Sequence, residues 1–278
     1  MHKEPLSRQA KAKLDTEIRH RINAGRAAIK KEIHFFERHF SEVGSDWKRD
    51  RSRVTFADIA ISENLTEQLK RTFQRDDFCS EEMSDDESVQ FLKNDFAWVL
   101  DPIDGTNNFA LGFPLCAISL ALLYQGMPMY GFVYDYSTKS LIEGGKDYGL
   151  RINEKVFTPL ENTREEQFMI GMQFPIANNT LTTLSPLLEK YKVRSIGSST
   201  MLGALVSKGY LWGAVDMRCK VWDFAASVSL CEATNRATYF IEDNPFPLTE
   251  FHPNLPKFPY FSGEDDFCKT IKRLLRIE

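Results

Sequence analysis

The sequence has no apolar run long enough to span a bilayer, which would need about 20 consecutive residues, and no CxxC pair. Its five cysteines (Cys79, Cys116, Cys219, Cys231 and Cys268) are dispersed and odd in number, and its five histidines form no cluster. A disulfide framework and a zinc site are thereby disfavoured, and reduced thiols in a cytoplasm are expected. The first residues, MHKEPLSRQAKAKLD, are polar and lack the apolar segment of a secretion signal. Strong charge of either sign is also missing: 35 basic against 39 acidic side chains give a formal net charge of -4. A dedicated nucleic-acid binder would be strongly basic. There is no internal repeat and no low-complexity tract. What is present is 278 residues with 42% hydrophobic side chains, enough for a sizeable core.

Ile18, Ile22, Ile29, Ile33, Phe36 and Phe40 recur at helical spacing, which predicts one long amphipathic helix with Gly25 as a soft point. A basic loop, 47-WKRDRSR-53, follows. The stretch 55–73 reads as a second helix, with Thr55 as cap and Asp58 in its first turn. An acidic loop, 80-SEEMSDDE-87, precedes a short apolar strand over 97–103. Strands over 116–126 and 129–138 flank Gly126-Met127-Pro128 as an antiparallel hairpin, with 140–145 as a third partner. The second half alternates: strands over 168–174, 193–196 and 238–241, and helices over 181–191, 200–211, 222–234 and 266–277. This predicts an α/β (α+β) chain. Residues 1–150 would form a part with helices and an antiparallel sheet, and 151–278 an α/β part.

Acids concentrate in three places: Glu81-Glu82, Asp101 with Asp104, and Asp223 behind Trp222. Singly, each has a plain explanation as solvated charge, turn or helix cap. The stretch 98-WVLDPIDGTNNF-109 is less easily dismissed. Pro102 biases Asp101 to extended backbone, and Gly105 permits conformations closed to other residues and a close approach to an anion. Two carboxylates and the Ile103 carbonyl could hold a hard cation; Gly105 and Thr106 offer N–H groups and a hydroxyl to a phosphate and a water. Oxygen donors with retained waters suit Mg²⁺. Pairing of the acids with Lys48, Arg49, Arg51 and Arg53 is the competing explanation.

Four motifs in order, 54-VTFAD-58, 80-SEEMSDD-86, 98-WVLDPIDGTNNF-109 and 221-VWDFAA-226, resemble the inositol monophosphatase family of Mg²⁺-dependent, Li⁺-sensitive phosphatases. The resemblance runs from about residue 18 to about 240. It implies a layered α-β-α-β-α sandwich and, commonly, a homodimer. It implies that Glu81, Asp101 and the Ile103 carbonyl hold one Mg²⁺, that Asp101, Asp104 and Asp223 hold a second, and that Glu81 helps hold a weaker third through water. Thr106, with Glu82 behind it, would orient and help deprotonate the attacking water, and Asp58 would support the cluster. Gly105 and Thr106 would bind the phosphate; Ser198, in a 195–200 stretch of small hydroxyl residues that would line the pocket, and Asp216 would contact the rest of the substrate, and Lys220 and Arg218 could contact a second anionic group. A small phosphorylated substrate is expected, neither nucleic acid nor membrane, with inositol monophosphate leading. Histidinol phosphate and a nucleotide 3′-phosphate are alternatives, as is a non-catalytic binding protein that keeps the fold. The sequence departs from the family pattern at Ser80, where glycine is usual, at Asn107, at Thr234-Asn235, and throughout 243–261.

Overall fold

The computed structural model describes residues 7–42, 44–48, 53–82, 89–161 and 168–277. Arg49 and Arg51 of the basic loop and Met83–Asp86 of the acidic loop lie outside the described residues. Helix α1 (Arg8–His39) leads to a short antiparallel pair, β1 (Ser45–Trp47) and β2 (Arg53–Thr55), then to α2 (Phe56–Thr72). There follow β3 (Asp77–Ser80), β4 (Gln90–Phe91), β5 (Phe96–Asp104), α3 (Thr106–Leu111), β6 (Ala117–Tyr124), β7 (Met127–Asp135), β8 (Ser140–Gly145), β9 (Gly149–Ile152) and β10 (Lys155–Val156). The remainder comprises β11 (Met169–Met172), α4 (Asn178–Lys190), β12 (Lys192–Arg194), α5 (Ser199–Ser207), β13 (Gly213–Asp216), α6 (Val221–Glu232), β14 (Ala237–Phe240), β15 (Glu250–Phe251), β16 (Tyr260–Gly263) and α7 (Asp265–Leu275).

Seven strands form one sheet in the order β10-β9-β8-β7-β6-β5-β3, antiparallel except where β3 runs parallel to β5. Five form a second, mixed sheet in the order β12-β11-β13-β16-β14. Strand β5 explains the layering. Successive strand side chains point to opposite faces, and β5 is buried on both. Trp98 and Leu100 pack with Ile29 and Phe36 of α1 and Ile61 and Leu65 of α2. Ala97 and Val99 face the other way, toward Phe224 and Ala225 of α6. Helices α5 and α6 also contact the second sheet, whose outer face carries α4 and α7 around Phe261 and Phe267. The order of layers is therefore α-β-α-β-α, the predicted sandwich.

Most elements fall where the periodicity puts them. The β6–β7 turn is Gln125-Gly126, with φ of 50° and 76°, so Pro128 lies inside β7 and not in the turn. Positive φ at both central positions is the mark of a type I′ two-residue hairpin turn. Ser80 is not strained: it lies in β3, outside the positive-φ residues, and its hydroxyl bonds the Ser62 hydroxyl at 2.7 Å. Asn235 adopts φ 57°, the left-handed geometry that asparagine tolerates, just past the end of α6.

Gly25 is a point of close approach and not a soft point. A Cβ there would stand 2.9 Å from Phe132 Cε2 and 3.0 Å from Trp98 Cζ3. Glycine-to-alanine in a helix interior ordinarily stabilises by about 1 kcal/mol. Overpacking against two buried rings costs about 1–3 kcal/mol, so Gly25→Ala is expected to lower stability in a denaturant melt. A rise in stability would show that α1 does not press on the sheet here.

Candidate active site

Glu81, Asp101, Ile103, Asp104, Gly105, Thr106, Arg218, Lys220, Trp222, Asp223 and Lys257 line one cavity of about 300 Å³. Local chemistry places each of the acids. Glu81 follows β3 and is fixed by its N–H bond to the Leu100 carbonyl at 3.1 Å. At the end of β5 the register with β6 breaks between Asp101 and Asp104, which lets the strand turn at Pro102. Asp101 folds back to accept the Ile103 N–H at 3.1 Å. Gly105 caps α3 with φ 86°, where a Cβ would come within 2.9 Å of the Leu115 carbonyl oxygen. Only glycine serves there. Asp223 stands in the first turn of α6 and accepts the Lys220 N–H at 2.7 Å.

Asp101, Asp104 and Asp223 each bring a carboxylate oxygen within 4.8 Å of the others. Burial, then the charges of Glu81, Asp104 and Asp223, hold the Asp101 carboxyl well above the usual carboxylate range. Asp223 is raised likewise, by burial and by Asp104 and Glu81. Asp104 is pushed up to about 6 by burial, against two hydrogen bonds that favour its charge. Arg218 and Lys257, which line the same cavity, form no ion pair with these aspartates among the described residues. Buried carboxylates that crowd without a cation are costly, and a metal ion inverts that cost. The donor set, carboxylates with the Ile103 carbonyl nearby, is all oxygen and fits a hard divalent ion.

Lys48 bonds Glu81 at 2.9 Å and Glu82 at 2.5 Å. Pairing with the basic loop thus accounts for the two glutamates but not for the three aspartates. Arg53 bonds the Ser45 hydroxyl and lies over the Trp47 ring. Glu82 is raised to about 7 by burial and the Glu81 charge, offset in part by Lys48.

The expected partnership of Thr106 with Glu82 is not formed. The Thr106 hydroxyl meets the Ile103 carbonyl at 2.9 Å and Asp58 at 3.3 Å, while Glu82 is engaged by Lys48. Asp58 is buried in a capping box, accepting the Thr55 N–H at 2.8 Å and hydroxyl at 2.6 Å, and burial lifts it to about 6. Ser198 and Asp216 do not line the cavity. Ser198 donates to Asp104 Oδ2 at 2.6 Å and accepts the Met201 N–H at 3.2 Å, capping α5. Asp216 is buried, accepting the Ser199 hydroxyl and the Arg218 N–H at 2.5 and 2.9 Å. Burial raises its pKa against these bonds.

Pattern reading missed the roles of three residues. Thr200 donates its N–H to Asp104 Oδ2 at 2.6 Å and its hydroxyl to the Asp223 carbonyl at 2.7 Å. Lys48 had appeared only as a competitor for the acids. Lys257 lies in the tail that departs from the family pattern. The Ser-Ser-Thr run before an apolar helix was the one available signal for Thr200. Because Ser198 orients a carboxylate that fits a metal, Ser198→Ala is expected to weaken Mg²⁺ affinity by about tenfold or more. Calorimetric titration checks this, and an unchanged affinity would contradict it.

The chain belongs to the inositol monophosphatase family, whose sequence model matches residues 13–249, and is a phosphatase of that family. Inositol-1-monophosphatase of Bacillus subtilis is 28% identical over 223 residues, 78% of this chain and 81% of that protein. The solved IMPase of Thermotoga maritima superposes with a TM-score of 0.79 at 20% identity, covering 92% of this chain and 97% of that one. A solved IMPase/NADP phosphatase complexed with Mg²⁺ and phosphate gives 0.77 at 23% identity, covering 95% and 96%. These two structures establish the shared fold.

Proposed function

We propose that the protein is a Mg²⁺-dependent phosphomonoesterase acting on a small polyol phosphate, with inositol monophosphate the leading substrate. One observation carries this reading: buried Asp101 and Asp104 and half-buried Asp223 bring carboxylate oxygens within 4.8 Å of one another. Asp101, Asp104 and Asp223, with Glu81 and the Ile103 carbonyl, would hold two ions. When bound, Mg²⁺ supplies an activated water and stabilises the leaving alkoxide.

The chain's own groups then position the reactants. Gly105 and Thr106 turn backbone N–H groups toward the phosphate. The Thr106 hydroxyl, kept in place by the Ile103 carbonyl and Asp58, aligns the attacking water. Lys48 keeps Glu81 and Glu82 side by side at the edge of the cluster. The N-termini of α2, α5 and α6 each carry one of Asp58, the Ser198 cap or Asp223, and their dipoles favour the added negative charge of substrate. The geometry gives histidinol phosphate no added support. Asp216, the carboxylate that would meet its ammonium, is buried and already bonded.

Phosphate release from myo-inositol 1-phosphate, histidinol phosphate, glycerol 2-phosphate and adenosine 3′-phosphate, with and without Mg²⁺, tests the proposal. Metal-dependent turnover with the inositol ester ahead is expected. A folded protein that releases phosphate from none of them would overturn the reading in favour of a non-catalytic binding protein.

A further inference from the structure

We infer that the substrate carries a second anionic group, a phosphate or a carboxylate, and that Arg218 and Lys257 receive it. This rests on the phosphatase reading above and narrows its substrate class: the inositol ester leads among esters with one anionic group, and an ester with a second such group outranks it. The cavity has two unlike walls. One is the acid cluster, which suits metal ions and the reacting phosphate. The other bears Arg218, Lys220 and Lys257. Lys220 directs its ammonium to the Leu255 carbonyl and so anchors the tail. Arg218 and Lys257 are exposed, and neither side chain forms an ion pair among the described residues.

Their backbones are nevertheless fixed. The Phe258 N–H bonds the Cys219 carbonyl at 2.9 Å, and the Cys219 thiol donates to the Phe258 carbonyl at 3.3 Å. Arg218 and Lys257 are the residues just before this doubly bonded pair, and both line the cavity. The Arg218 N–H is bonded to buried Asp216, which Ser199 holds in turn. Two cations on a braced scaffold lose less freedom on binding an anion than cations on a loose loop. A polyol with hydroxyls alone gives them nothing to pair with. A guanidinium and an ammonium together suit an oxyanion, and the guanidinium can bind it through two N–H groups. Lys257 belongs to the divergent 243–261 stretch, so this wall is a property of this chain's own tail.

The test uses substrate pairs that differ in one anionic group. Glycerol 3-phosphate is compared with 3-phosphoglycerate, and fructose 1-phosphate with fructose 1,6-bisphosphate. Turnover with Mg²⁺ is measured for the unaltered protein, Arg218→Ala, Lys257→Ala and the double variant. The doubly anionic member of at least one pair is expected to lead by about tenfold or more in kcat/KM. Which pair shows it tells carboxylate from phosphate. Each substitution should remove most of that lead, through KM, and added salt should shrink it, because exposed charges are screened. Equal turnover within both pairs, or a lead that survives the double variant, would overturn the inference and leave the two cations as solvated surface charge. If no ester is turned over, the phosphatase reading falls separately. Calorimetric binding of fructose 1-phosphate and fructose 1,6-bisphosphate then decides: tighter binding of the bisphosphate that the double variant loses supports the inference, and equal binding refutes it.

Discussion

Asp104→Asn and Asp223→Asn are each expected to reduce Mg²⁺-dependent phosphate release by about 10³-fold or more, while making the metal-free protein more stable. The two effects have one cause. Each aspartate contributes negative charge to one crowded acidic cluster. Asparagine keeps a carbonyl oxygen that can still accept the Ser198 and Thr200 donors at Asp104, or the Lys220 N–H at Asp223. It removes only the charge. Asp104 is raised from 3.8 to about 6, which corresponds to roughly 3 kcal/mol of cost to its ionised form at neutral pH. Relief on the order of 1–3 kcal/mol is expected in the metal-free variant. A steady-state assay and a thermal melt in chelator check both. Variants that lose activity and stability together would mean that these aspartates are held by protein contacts and not by a metal.

The second large effect is the pH dependence of the metal-free protein. Asp58 and Asp104 rise to about 6 and Glu82 to about 7, each chiefly by burial, and Asp101 and Asp223 rise further. A carboxyl with a raised folded pKa binds its proton more tightly folded than unfolded. Its contribution is therefore full below the ordinary value, near 4, and is lost as pH climbs through the folded pKa. Stability in chelator should thus decline from about pH 4 to pH 7 and beyond, by several kcal/mol over the cluster. Mg²⁺ binds the ionised form, so it should restore stability most at pH 7–8, by about 2–3 kcal/mol when its concentration is ~100 times Kd. Denaturant midpoints across pH, with and without Mg²⁺, measure this. A flat chelator profile together with no Mg²⁺ effect would contradict the electrostatic account.

How legible the site was in the sequence depended on how locally each part is made. The bend at Pro102, the capping box of Thr55 and Asp58, and Asp223 in the first turn of α6 are set by residues within a few positions, and short-range rules reach them. The two glutamates were visible as a pair, but Lys48 comes from a separate strand pair, and only the packed structure joins them. Ser198 and Thr200 looked like pocket hydroxyls. They turn inward because Asp104, 94 and 96 positions earlier, arrives beside the start of α5. Strand β16 was missed altogether. It lies inside the second sheet between β13 and β14, buried on every residue, so it shows no alternation to detect. The stretch that ends in β16 also delivers Lys257. Gly25 misled for a related reason, since its role is set by Trp98 and Phe132 from the sheet and not by its own helix.

The central claim is that Asp101, Asp104 and Asp223 together hold a divalent metal on which phosphate release depends. Crystals of the full chain soaked with Mn²⁺, measured by anomalous diffraction, test it most directly. The account predicts an anomalous peak bounded by these three carboxylates and its loss in Asp104→Asn. A clean map there, or a peak at some other set of ligands, would contradict it.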